Sequence, residues 1–292
     1  MDAVITYVNG QDPAWQEDYK RVVGGDMLQK RFRDWGTLPY LLRGIQKHMP
    51  YINNVYLAVA SESQVPDWVD RGNLKIALHR DFIPEEYLPT FNCNTIELFL
   101  HRIPGIDEQF LNFNDDMFPV RDSSPEDFFR DGKPVTGFSR NLIAGNLFKV
   151  MARNTDRKVR EALGMPRSPF FIRPQHTVYP FRKSACEEIS TVMANQFAES
   201  ISPVREEYNL LHYVFLDYLY YTGQAVAQRH SNKHFSLAAA SASKLSAFLS
   251  APSTDFVCIN DVEMSEERYK NIKKVLTEAF ESLFLEKSRF EI

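Results

Sequence analysis

Short apolar runs alternate with amphipathic ones along the first 120 or so residues, and this alternation limits the possible folds more than any other feature. DAVITYV (2–8) is β-branched and aromatic, stops at Asn9-Gly10, and predicts a buried strand. Asp12-Pro13 supplies a helix start. Leu38, Leu41, Leu42 and Ile45 recur at helical spacing over 37–48. NVYLAVA (54–60) and LKIAL (74–78) predict strands and 94–103 a helix. QFLNF (109–113) predicts a strand that runs into Asn114-Asp115-Asp116. Such a pattern predicts an α/β fold with a mostly parallel central sheet flanked by helices. Ligands of such sheets sit beyond the carboxyl ends of the strands. Asn9-Gly10-Gln11-Asp12 and Asn114-Asp115-Asp116 both follow expected strands, so they are expected to share one site.

The later sequence predicts helices over 184–197 and 206–222 and a strand at FVCIN (256–260) followed by Asp261. A last helix carries Ile272, Val275, Leu276, Ala279, Phe280, Leu283 and Phe284 as an apolar stripe. No convincing linker divides the chain. The expectation is one catalytic domain over 1–292, with an α/β part at 1–130 and a mixed, mainly helical part at 131–292 that completes the site.

Net charge is -4, which argues against a surface built to coat nucleic acid. No run approaches the 18 or so apolar residues of a membrane span, and the start has no basic segment before an apolar one. Cys93, Cys186 and Cys258 form no metal-type pair, so free thiols and a cytoplasmic setting are expected. There are only 12 glycines and no GxGxxG or GxxxxGK[ST] motif. If the chain holds a phosphate, side chains and a metal must do most of the holding.

Adjacent carboxylates at a strand end, Asp115 and Asp116, repel one another unless water, amides or a cation compensate. Oxygen-rich sites of this kind suit Mg²⁺ or Mn²⁺ bridging to substrate phosphates. The ordinary reading is a solvated loop with a capping aspartate. The similar pattern Asn260-Asp261 after FVCIN favours the cation reading. Glu97 and His101 lie four apart on an expected helix and would share a face beside Arg102, as a polar wall or as a common ion pair. Arg31, Arg33 and Asp34 form either a phosphate-recognising turn or a solvated one. His176 lies among prolines and is either a core histidine or a general base. Arg205 heads an expected helix, where a cation needs a compensating anion; Glu206 and Glu207 offer one.

Taken in order, DAVITYVNGQDPAW (2–15), RFRDWGTLPYLLRGIQKHMPYINNVYLAV (31–59) with LPTFNCNTIELFLHRIPGIDEQFLNFNDDMF (88–118), HTVYPFRKSACEEI (176–189) with VREEY, and FVCINDVEM (256–264) with KSRFE (287–291) resemble the four blocks of the Stealth proteins. That family includes bacterial capsular polysaccharide phosphotransferases and the catalytic region of the lysosomal-enzyme N-acetylglucosamine-1-phosphotransferase. Departures include Tyr7 for a usual Trp and Asn209 for a usual acid.

The resemblance implies a GT-A-like or Rossmann-like nucleotide-sugar-transferase core with a helical C-terminal part. It implies transfer of a hexose or N-acetylhexosamine 1-phosphate from a nucleotide diphosphate sugar, such as a UDP-sugar, to a glycan hydroxyl, with release of a nucleotide monophosphate. On this reading Asp115, Asp116 and Asp261 hold Mg²⁺ or Mn²⁺, and Arg102 and Arg205 clamp phosphoryl oxygens. His176 is the base, with Asp116 its rival. Asn9, Gly10, Asp12, Arg33, Asp34, Asn114, Glu97, His101 and Asn260 line the donor site. A lipid-linked acceptor would bring the enzyme to the inner face of the membrane. Two other readings compete. One is a metal-dependent GT-A glycosyltransferase that releases a nucleotide diphosphate; the other is a non-catalytic glycan- or nucleotide-binding protein.

Overall fold

The computed structural model describes residues 1–24, 34–237, 239–261 and 264–292. Arg31 and Arg33 lie outside the described residues. In chain order the main elements begin with β1 (Asp2–Thr6), α1 (Pro13–Val23), α2 (Leu38–His48), β2 (Val55–Val59), β3 (Leu74–Leu78), α3 (Cys93–Leu98), β4 (Gln109–Asn114) and β5 (Met117–Pro119). Next come β6 (Phe129–Arg130), β7 (Lys133–Thr136), β8 (Phe138–Asn141), α4 (Leu147–Ala162), β9 (Phe171–Pro174), β10 (Tyr179–Arg182), α5 (Lys183–Val192) and α6 (Ala194–Ser200). The chain continues through α7 (Tyr213–Tyr221), β11 (Val226–Ala227), β12 (Asn232–Ser236), α8 (Ala242–Ser250), β13 (Phe256–Asn260) and α9 (Glu266–Leu283).

A five-stranded sheet has the order β10-β4-β1-β2-β3. The fold is mixed α/β with a parallel sheet core, as the sequence predicts. The antiparallel member is β10, with Tyr179 opposite Asn112 and Phe181 opposite Phe110 on β4. All of β2 and most of β1 are buried, which is why they read as continuous apolar runs rather than alternating ones. Asp12 starts α1: its carboxylate accepts the Ala14 N–H and Pro13 occupies the first turn. Gly24 ends the helix at φ 71°, a left-handed conformation that glycine adopts without steric cost. No described helix is long and apolar enough to cross a membrane.

The chain divides into two compact units, neither of them a continuous stretch. Unit 1 comprises Met1–Val4, Ala77–Asn112 and Pro125–His230; unit 2 comprises Ile5–Ile76, Phe113–Ser124 and Ser231–Ile292.

In unit 1, α7 is nearly all buried: Tyr213, Val214, Phe215, Leu216, Asp217 and Leu219 face inward. Phe181 and Phe197 meet Phe215 at ring-centroid distances of 5.7 and 5.8 Å. The buried Asp217 carboxyl lies in this apolar setting. Burial first, and then Asp156, push its pKa well above the usual carboxylate range, while Arg160 acts the other way. An acid whose folded pKa is raised costs no stability below its unfolded value, near 4, and a growing amount as pH rises above that value. Asp217→Asn is therefore expected to raise the melting temperature at pH 7.5, with the gain fading towards pH 4. A melt series over that range checks this; a gain that does not depend on pH would contradict it.

In unit 2, α2 and α9 pack against the sheet β12-β13-β5, in which β12 runs parallel and β5 antiparallel to β13. Tyr40 stacks on Phe280 at 5.2 Å, and Phe118 meets the same ring at 4.7 Å. Arg43 holds Glu291 through two bonds, Nε to Oε1 at 2.9 Å and Nη2 to Oε2 at 2.6 Å. Gly44 lets α2 lie directly on β5, because a Cβ there would come 2.6 Å from the Pro119 carbonyl oxygen.

Several expected elements differ. The helix expected over 94–103 ends at Leu98, and a 3₁₀ turn, Leu100–Arg102, follows. Pro104 disfavours helix at the residue before it. The helix expected over 184–197 is two, α5 and α6. The helix expected over 206–222 begins only at Tyr213. Before it, the Asn209 Oδ1 accepts the Glu206 N–H at 2.7 Å, a local bond that competes with helix. Arg205 therefore does not head a helix. The part beyond residue 131 is also richer in strands than expected. Those strands are two to five residues long, and several contain proline, so they leave little periodicity to read.

Candidate active site

Unit 2 holds four acids, from three separated stretches, whose charges act on one another. Asp115 and Asp116 form the turn between β4 and β5, Asp34 precedes α2, and Asp261 follows β13. The turn is anchored to β13: the Ile259 N–H donates to the Asp116 carbonyl at 2.8 Å, and Asn260 Nδ2 donates to Asp116 Oδ2 at 3.3 Å. The Cys258 thiol is 3.5 Å from the same oxygen. Burial and Asp116 push that thiol's pKa up, so it stays protonated. Asp34 is held from α9, where Tyr269 Oη and Lys273 Nζ donate to its carbonyl at 2.7 and 2.9 Å. Its Oδ1 accepts the Gly36 N–H at 2.8 Å.

The acids act on one another. Asp115 is exposed, and its pKa is pushed up from the usual carboxylate range, by desolvation and by the neighbouring charges of Asp116, Asp34 and Asp261. The Tyr7 hydroxyl pKa is pushed up by burial, then by Asp34 and Asp115. Asp115 and Asp116 form no ion pair among the described residues. Asn114 Oδ1 and Asp116 Oδ1 are buried with no hydrogen-bond partner there. Oxygens left in this way beside repelling carboxylates suit a hard divalent cation, so this group could hold one.

Asn9, Gly10 and Asp12 follow β1 as expected, but their polar groups serve the loop itself. Gln64, buried, accepts the Asn9 N–H at 2.7 Å and donates to the Asn9 carbonyl at 3.1 Å and to Asp12 Oδ2 at 2.7 Å. The Gly10 carbonyl accepts Gln16 Nε2 at 2.7 Å. Burial raises the Asp12 pKa, but bonds from Ser63, Gln64 and the Ala14 N–H outweigh it and leave the carboxyl below its usual range.

Unit 1 contains a second polar cluster. Glu97 on α3 is buried and holds His212 Nδ1 at 2.5 Å, while His212 Nε2 has no partner among the described residues. The Tyr179 ring lies edge-on to His212 at 4.3 Å. Its hydroxyl bonds His176 Nδ1 at 2.7 Å and the Tyr213 hydroxyl at 3.1 Å. Arg205 Nη2 reaches Cys93 Sγ at 2.7 Å, and Cys93 and then Glu97 raise its already high pKa.

Asn92 sets this geometry. It caps α3 through the Asn94 N–H at 3.1 Å, and its Nδ2 donates to the Val204 carbonyl at 3.1 Å and to Asn209 Oδ1 at 2.9 Å. The helix carrying Glu97 and the segment carrying Arg205 are thus fastened together.

Two expectations need correction. Glu97 does not pair with His101, because α3 ends before it; the partner is His212. His101 packs edge-on to Phe215 at 5.8 Å, and burial first, then Arg102 and Lys183, depress its pKa to about 4. It is a neutral core histidine. Arg102 lies over the Phe99 ring at 5.8 Å and makes no hydrogen bond to the Glu97–His212 pair. His212, Tyr179, Tyr213 and Gln64 were not singled out by sequence. Their partners lie 34 to 115 residues away, except for the His176–Tyr179 pair, which is three apart.

Comparison with known proteins adds to this geometry. Residues 31–136 match the model of Stealth protein conserved region 2. A capsular polysaccharide phosphotransferase, WcwK of Streptococcus pneumoniae, is 29% identical over all of this chain and 98% of its own length. A receptor polysaccharide phosphotransferase, WefC of Streptococcus oralis, is 41% identical over 46% of this chain and 43% of its own. Among solved structures, the galactosyltransferase LgtC superposes at a TM-score of 0.42 with 12% identity, covering 94% of this chain and 95% of its own. Residues 31–136 thus resemble the second conserved region of the Stealth proteins, and the whole chain is similar end to end to a named polysaccharide phosphotransferase.

Proposed function

We propose that this chain transfers a sugar 1-phosphate from a nucleotide diphosphate sugar to a hydroxyl of a polysaccharide acceptor. The observation that carries the reading is the Asp115-Asp116 turn, anchored to β13 through Ile259 and Asn260 and acted on electrostatically by Asp34 and Asp261. The named activities of the full-length relatives support it.

In this reaction the acceptor oxygen attacks the phosphorus that bears the sugar. The bond from that phosphorus to the bridging oxygen breaks, the nucleotide monophosphate leaves, and a phosphodiester remains. Such transfer depends on positioning and charge stabilisation more than on covalent chemistry. Asp115, Asp116 and Asp261, with Asn114 Oδ1, would hold Mg²⁺ or Mn²⁺, which when bound neutralises diphosphate charge. Asp34 adds to the field on these residues, and Asn260 orients Asp116. His176 takes the acceptor proton, with its Nδ1 fixed by Tyr179 Oη. Arg205 meets the phosphoryl oxygens and is kept charged beside Cys93 and Glu97.

Incubation with a panel of nucleotide sugars, Mg²⁺ or Mn²⁺ and a glycan acceptor tests the reading. Nucleotide monophosphate and a phosphodiester resonance in the phosphorus NMR spectrum are expected. Release of nucleotide diphosphate, with no phosphorus in the glycan, would instead make the chain a glycosyltransferase.

A further inference from the structure

A cavity of about 510 Å³ in unit 1 is lined by none of the residues assigned a role in the transfer. Its volume falls in the range that encloses small ligands, about 300–1,000 Å³. One wall is α4, where Arg153, Arg157 and Arg160 recur at spacings of four and three and so share a face. Arg167, Phe170 and Tyr208 also line it; the Arg140 guanidinium lies over the Phe170 ring at 3.9 Å, and Tyr208 is 52% exposed. Asn154 Nδ2 ties the Tyr208 segment to α4 by donating to the Tyr208 carbonyl at 2.8 Å.

The charges are unequally used. Arg160 is paired with Asp156 at 3.2 Å and lies over the Tyr221 ring at 4.6 Å. Arg157 is paired with Glu161 at 3.2 Å and bonds Asn154 Oδ1 at 2.7 Å. Arg153 and Arg167 are exposed and make no ion pair with a described residue. Glu207 is the one lining acid outside those pairs. Two available guanidinium groups in a cavity that the exposed Tyr208 ring also lines suit a ligand that is both anionic and ring-bearing. A neutral glycan would leave both arginines unmatched.

We propose that this cavity binds an anionic glycan segment, a sugar bearing a phosphodiester, and so holds the acceptor chain. The inference rests on the sugar-1-phosphate transfer reading, because each transfer leaves a phosphodiester on the glycan. Tyr208 lies three residues beyond Arg205, so one short segment joins the cavity wall to the arginine assigned to the phosphoryl oxygens.

The test is isothermal titration of the full chain with a synthetic trimer of N-acetylglucosamine joined by phosphodiesters. Maltotriose, inorganic phosphate and uridine monophosphate serve as separate arms. The trimer is expected to bind, and the double variant R153E/R167E to weaken binding at least tenfold, about the effect of losing one charge-assisted contact. R153Q/R167Q should show a smaller loss in the same direction and serves if the charge reversals do not fold, as judged by melting. Initial rates with a monosaccharide acceptor should be unchanged in both variants. Unaltered trimer binding in both variants overturns the inference. So does maltotriose or inorganic phosphate binding as tightly as the trimer, or displacement of the trimer by uridine monophosphate. Binding is read without turnover, so a failure of the transfer reading would show in the released nucleotide and not in these titrations.

Discussion

Asp116→Asn is expected to lower turnover by about 10²–10³-fold while leaving the melting temperature within about 2 °C. The substitution keeps the size of the side chain and its backbone bond from the Ile259 N–H, so the β4–β5 turn should persist. It removes one negative charge and replaces a carboxylate oxygen by an amide nitrogen that cannot ligate a cation. Manganese titration followed by electron paramagnetic resonance should show the weakened binding directly, apart from any assay of turnover. Activity within about threefold of the parent, with unchanged manganese binding, would remove Asp116 from the machinery.

The largest expected loss of stability comes from Asn209→Leu. The Asn209 side chain is fully buried and fully used. It accepts from Asn92 Nδ2 at 2.9 Å and the Glu206 N–H at 2.7 Å, and donates to the Ser200 carbonyl at 2.6 Å and Ser202 Oγ at 2.8 Å. Leucine has a similar volume but strands these partners away from water. Each stranded group costs about 1–3 kcal/mol, so a loss on the order of 3 kcal/mol is expected. For a chain of this size that lowers the melting temperature by roughly 6–12 °C. Thermal melting checks it, and a shift under about 2 °C would show that the amide network carries no weight. Turnover should fall too, because the bond to the Glu206 N–H shapes the segment holding Arg205.

What could be read from the sequence, and what could not, divides by the range of the interactions. LKIAL and FVCIN form strands over the residues expected, and FVCIN, buried over its first four residues, writes that burial into a continuous apolar run. The position of Asp115, Asp116 and Asp261 just after strands was legible, because a polar acid ending an apolar run is conspicuous. Asp12 was legible as a helix start, but its main role as a loop brace was not, since that depends on Gln64. His101 and His212 were indistinguishable by local context. What separates them is that α3 stops early and that His212 meets a glutamate 115 residues away. The helix expected over 206–222 was legible in part, yet its start was misplaced because one asparagine side chain satisfies the backbone in place of a helical turn.

The close approach of Gly44 to β5 carries a consequence for evolution and engineering alike. The strand it touches begins at the residue after Asp116, so a single methyl group on α2 would push against the backbone that aims the carboxylate. Libraries that diversify α2 for solubility or thermal tolerance should leave that position untouched, since a change there would reach the chemistry without altering any residue that performs it.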